Sequence, residues 1–115
     1  MDDDAPVTTD SRSGARRRTL LRGRICWGPK GALSVDCSIR NISEAGAQLR
    51  VAAVQALPQT FTLIHVLDGV AYEATLAWRR GDLAGARFTA RHDLKRPGDP
   101  AVLHLRQTWL ALAPR

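Results

Sequence analysis

Arg16, Arg17 and Arg18 stand together, and Arg22 follows four residues after Arg18. A guanidinium group is permanently charged and planar. Its fork grips a phosphate with two parallel hydrogen bonds, and its flat face stacks on a base. Mobile arginines at the start of a strand can therefore close over an anionic ligand from one side. Taken alone, three adjacent arginines read as a solvated basic run. A second group is Asn41-Ile42-Ser43-Glu44-Ala45-Gly46. Asn and Ser side chains bond to nearby backbone and stabilise a turn. Gly46 permits either a positive φ or a close backbone approach. Such a turn exposes amide, hydroxyl and backbone N–H groups to a ligand. Taken alone, it reads as an ordinary polar turn.

Other chemistries have little support. His65, His92 and His104 are scattered, with no H-x-x-x-H spacing and no paired cysteines, so no metal site is assigned. Cys26 and Cys37 form no C-x-x-C and read as small core residues in a reducing cytosol. Ser43 has no candidate base near it in sequence, and the carboxylates beyond residue 15 are isolated. No residue is assigned a catalytic role, and no cofactor is implied. Two further residues bear on a ligand. Trp78 alternates with Tyr72, Ala74 and Leu76, which places it on the core side. An open strand end would instead let its indole face meet a base. Arg40 shares the outward face with Asp36 and Ser38, and either assists a ligand or is solvated.

The 115 residues suffice for one domain, and the formal net charge is +6. Of 17 basic residues only Lys30 and Lys95 are lysine. This balance points to an anionic partner. The aromatics Phe61, Phe88 and Trp109 fit apolar faces, which argues against a nucleic-acid-binding barrel with its exposed stacking platforms. No stretch approaches the roughly 18 apolar residues of a membrane span, and the Met-Asp-Asp-Asp start lacks an apolar signal segment. A cytoplasmic protein without membrane insertion is expected.

The elements that would hold these groups follow from periodicity. Residues 1–15 are polar, without apolar spacing, and read as a disordered tail ahead of a domain over 16–115. From Leu20 to Trp27 the apolar positions recur every second residue. Leu33, Val35, Cys37 and Ile39 repeat the pattern, as do Ala47, Leu49 and Val51. Further strands are predicted over Thr60–Val66, Val70–Arg79 and Leu83–Thr89. Gly28-Pro29-Lys30-Gly31, Asp68-Gly69 and Gly81-Asp82 mark turns between them. Six short antiparallel strands with tight turns predict a closed or nearly closed all-β barrel. Arg91 to Gly98 reads as a basic connection. Asp99 and Pro100 then suit a helix N-cap and first turn. Val102, Leu105, Trp109 and Leu112 share a stripe, so the C-terminal α-helix is expected to pack on the barrel and cover one end.

The pairing of the two motifs carries more than either alone. R-R-x-x-x-R before the first strand, then [D/N]-x-S-x-x-G about twenty residues later, resembles the signature of PilZ domains. The stretch from Leu76 to Phe88 resembles that family's last hairpin. The resemblance implies a six-stranded antiparallel β-barrel with a C-terminal helix that binds cyclic di-GMP and is not an enzyme. It implies that Arg18 and Arg22 grip phosphate and stack on guanine, with Arg17, and at one remove Arg16, supplying further charge. It implies that Asn41, Ser43 and Gly46 meet a guanine edge. Asn41 stands where the family more often has aspartate. Relatives act on motility, pili or exopolysaccharide synthesis through a downstream protein, which nothing in this sequence identifies. A PilZ-like adaptor that binds only protein is the alternative, although such adaptors usually lose the arginines.

Overall fold

The alternating segments form six strands. These are β1 (Leu21–Trp27), β2 (Leu33–Ile42), β3 (Gly46–Arg50), β4 (Thr60–His65), β5 (Val70–Arg80) and β6 (Leu83–Asp93), followed by the helix α1 (Leu103–Leu112). They come from a computed structural model that describes residues 21–96 and 100–112. The expected tail over 1–15, the arginines Arg16, Arg17 and Arg18, and the proposed cap Asp99 lie outside the described residues.

Every paired strand is antiparallel, and the sheet closes in the order β1-β2-β3-β6-β5-β4, with β4 returning to β1. Closure leaves no strand edge free to pair with another chain. Inside the barrel, Ile25, Ile39, Leu49, Phe61, Leu63, Ala74 and Ala86 form the buried core. Each large aliphatic side chain buried there contributes roughly 1.5–3 kcal/mol.

The helix does not cover a barrel end. It lies on the outside, where Val102 and Leu105 pack with Cys26 of β1, Ile64 of β4, Ala71 of β5, and Val66 and Leu94 from the adjoining turns. Trp109 and Leu112 pack against the same cluster. The reason is in the strands. Phe61 and Leu63 face inward, while Ile64 and Cys26 are apolar and face outward, so this side of the barrel needs cover. Trp109 Nε1 donates to the Val66 carbonyl at 2.7 Å, and Arg106 Nε donates to the Leu94 carbonyl at 3.1 Å. Gly31 meets the His104 ring near the start of the helix, and Arg22 meets its last carbonyl. The helix thus runs antiparallel to β1.

Two boundaries differ from the sequence reading. β6 continues to Asp93 instead of ending at Thr89, because β5 offers partners as far as Val70, which pairs with Asp93. The charged residues Arg91 to Asp93 therefore belong to a strand. β2 continues through Asn41 and Ile42, which pair with Gln48 and Ala47, so Asn41 is a strand residue and not part of the turn.

Candidate ligand-binding site

The start of β1 and the turn from β2 to β3 share one end of the barrel. Leu21 pairs with Ile39, two residues before Asn41. β1 therefore begins near the Asn41–Gly46 segment.

That turn is tightly held. Ser43 N–H donates to the Gly46 carbonyl at 2.9 Å, and Ala45 N–H donates to Ser43 Oγ at 3.2 Å. Phe88 N–H donates to the Ala45 carbonyl at 2.9 Å, which ties the turn to β6. Gly46 serves close approach, not a positive φ. A Cβ there would run into the Ala86 carbonyl oxygen. Ser43, Glu44 and Ala45 stay exposed.

Two β-bulges shape what lies beside the turn. In β2 the register shifts between Ile39 and Asn41, so Arg40 is the extra residue. Strict alternation would send Asn41 inward after Ile39. The bulge turns Asn41 outward and returns Ile42 to the core. In β5 the register shifts between Leu76 and Trp78, with Ala77 extra. Leu76 pairs with Ala86 and packs on the core, whereas Trp78 pairs with outward-facing Gly85. The core-side position for Trp78 is therefore corrected: its residue is 40% exposed. Its indole lies across Gly85, where a Cβ would collide with the ring. The Arg80 guanidinium sits 5.7 Å from the ring centroid, within cation–π reach.

The turn stands between two cavities. One, of about 750 Å³, is lined by Asn41, Ser43, Gly46, Gln48, Trp78 and Arg87 among others. The other, of about 720 Å³, lies beyond the turn and is lined by Ser43, Glu44, Asp68, Tyr72, Phe88 and Arg91 among others. Tyr72 and Phe88 stack there, with centroids 4.1 Å apart and 13° between the rings. The first cavity is an open groove with an aromatic surface, side-chain amides and a hydroxyl. Arg87 supplies a cation at it.

The sequence-derived residues thus fall into two places. Asn41, Ser43, Gly46 and Trp78 line one groove. Arg22 does not line either cavity. It pairs with Ser38, three residues along β2 from Asn41, a span of roughly 10 Å at strand rise. Its Nη1 donates to the Leu112 carbonyl at 2.8 Å. A cation at a helix C-terminus satisfies an orphan carbonyl and opposes the helix dipole. Arg40 sits half-buried on its bulge and lines neither cavity.

Sequence reasoning missed Gln48 and Arg87. Both alternate outward from buried neighbours, which was legible, but their convergence on Asn41 and Trp78 depends on the bulges and the strand order. It also gave Arg79 no role. This side chain donates to the carbonyls of Ala52, Gln55 and Gly81, each at 2.9 Å, and anchors the loop before β4.

Both cysteines are buried and unpaired. Burial, reinforced by the Asp36 carboxylate, pushes the Cys37 thiol up to about 12, so it stays protonated at neutral pH. Burial also raises Cys26. Among the described residues no group of three or more His, Cys, Asp or Glu could hold a metal ion. No helix among them is long and apolar enough to cross a membrane.

No protein-family model matches the chain, and no curated protein matches it. Among solved structures it is similar to the PilZ domain of CeSA from a cellulose-synthesizing bacterium. The TM-score is 0.52 at 15% sequence identity, over 84% of this chain and 95% of that one. The fold is PilZ-like. The closed six-stranded barrel with its C-terminal helix matches what the paired motifs implied. In this PilZ-like barrel the second motif lies at the end where β1 begins and β2 turns into β3.

Proposed function

We propose that the protein is a receptor for cyclic di-GMP and that it performs no catalysis. The observation that supports this best is the Asn41–Gly46 segment. It lines an open groove beside Trp78, at the barrel end where β1 begins. Cyclic di-GMP carries two phosphates and two flat purines. Arg17, Arg18 and Arg22 answer the phosphates, with Arg16 and Arg40 adding positive charge nearby. Asn41, Ser43 and the backbone at Gly46 answer a guanine edge. Trp78 offers an indole face for a base, a contact that alanine substitution values at roughly 1–3 kcal/mol.

Arg22 supplies a route from ligand to output. Phosphate competes with the Leu112 carbonyl for its guanidinium. A charged acceptor bonds more strongly than a neutral one. Binding then withdraws the clasp at the end of α1 and changes the surface that a partner protein reads.

Titration calorimetry with cyclic di-GMP tests the reading. Losing a charge-assisted hydrogen bond costs roughly 1.5–3 kcal/mol, so Arg18→Ala and Arg22→Ala should each weaken binding at least tenfold. Affinity should fall as salt rises, because exposed charges are screened. Wild type and both variants binding alike would reject these arginine roles. No binding by the wild type, together with tight binding of a short RNA, would replace the receptor with a nucleic-acid-binding barrel.

A further inference from the structure

The barrel end opposite the turn from β2 to β3 carries a loop without charge. The residues from Val51 to Gln59, between β3 and β4, include no acidic or basic side chain. Val51 and Leu57 pack on the core. Ala52, Ala53, Val54 and Ala56 are exposed instead. Surface turns usually rely on Gly, Pro, Asn, Asp or Ser. Here Gln55 N–H donates to the Ala52 carbonyl at 2.9 Å and closes a turn whose centre is Ala53-Val54. Val54 is 97% exposed.

The apolar tip is held out by bonds to the β5–β6 hairpin. The two Nη atoms of Arg79 donate to the carbonyls of Ala52 and Gln55, the two ends of the turn. Val51 N–H donates to the Asp82 carbonyl at 2.8 Å. Folding the tip onto the barrel would break these bonds. The tip is thus ordered before it meets a surface, and a contact there loses little conformational entropy. Cations stand around it. Arg50 and Arg80 flank the loop, and Lys30 lies in the β1–β2 turn at the same end, beside exposed Leu33. Asp82 is the one carboxylate in these turns, and Arg50 holds it at 3.0 Å. Among the described residues neither Lys30 nor Arg80 pairs with a carboxylate.

We infer that this end of the barrel is a docking surface for an anionic lipid bilayer. The Ala52–Val54 tip enters the headgroup boundary, and Lys30 and Arg80 meet lipid phosphates. In such binding, buried apolar area and attraction to anionic lipid act together, and each basic residue near the surface adds to the attraction. The residue types favour a bilayer over a protein partner. Protein interfaces are depleted in alanine, and aromatic or arginine anchors seated in pockets carry most of their energy. A protruding tip of alanine and valine needs no matching pocket in a fluid boundary. A second copy of the chain would set basic residues against basic residues. The contact is peripheral, lies away from the Asn41–Gly46 segment and does not depend on cyclic di-GMP.

Co-sedimentation of the full chain with lipid vesicles, in the absence of nucleotide, tests this. Vesicles of equal parts phosphatidylglycerol and phosphatidylcholine should bind it about tenfold more tightly than phosphatidylcholine alone. Val54→Asp should weaken binding to the mixed vesicles about fivefold, and Val54→Leu should strengthen it. Arg80→Glu should weaken it about tenfold. Arg91→Glu makes the same change in net charge near the other end of the barrel and should bind like wild type. Thermal melting checks folding, and Val54→Ser decides in place of Val54→Asp if that variant is unfolded. Equal losses for Arg80→Glu and Arg91→Glu would mean adsorption by net charge alone and would overturn the inference. A folded Val54→Asp chain that binds as well as wild type would overturn it too. Binding to neither kind of vesicle would also overturn it and would leave the tip to a protein partner. Each of these results leaves the receptor reading standing.

Discussion

Gly46 has to be glycine because β6 passes directly against it. A methyl group there would press on the Ala86 carbonyl oxygen, which belongs to a rigid strand and cannot step aside. Gly46→Ala should therefore lower stability by about 2 kcal/mol, in the range of overpacking in a tight site. Urea denaturation reads this as a lower midpoint with an unchanged slope. A midpoint equal to wild type would mean that the turn yields easily. The sequence showed that Gly46 was special and left two reasons open. Only the neighbouring strand decides between them, and that strand lies forty residues away. Trp78 carries the complementary lesson. Its alternation with Tyr72, Ala74 and Leu76 pointed inward, and one extra residue at Ala77 reversed it. A bulge of this kind leaves no mark in composition.

At the scale of elements, the six strands were legible because each alternates and each is bounded by turn residues. The helix stripe of Val102, Leu105, Trp109 and Leu112 was legible for the same reason. Its resting place was not, since that depends on which outward-facing strand residues are apolar once the barrel has closed. Charge hid the end of β6, where pairing with β5 carries Arg91, His92 and Asp93 into the sheet. The placement of α1 gives Arg22 the Leu112 carbonyl as a partner, for which the phosphate of the proposed ligand would compete. Amide hydrogen exchange should therefore speed up in the last turn of α1, from Trp109 to Leu112, when cyclic di-GMP is added. Arg22→Ala should show that faster exchange without ligand and little further change with it. Unchanged exchange in α1 on saturation would place the output elsewhere.

For the whole molecule, a sequence charge of +6 accompanies a closed barrel. Positive charge draws anions toward the surface, and in the proposed receptor the groove beside the Asn41–Gly46 turn would select among them. The paired motifs announced the barrel, while the outer row from Asn41 to Trp78 emerges only from closure and register. Backbone and indole NMR shifts of the labelled protein, followed through a titration with cyclic di-GMP, test the central claim most directly. The largest changes should fall on Asn41 to Gln48, on the Trp78 indole N–H and on Arg22, and they should saturate together. Saturable changes confined to the α1 face or the loop before β4, with the Asn41–Gly46 segment silent, would contradict it, as would no change at all.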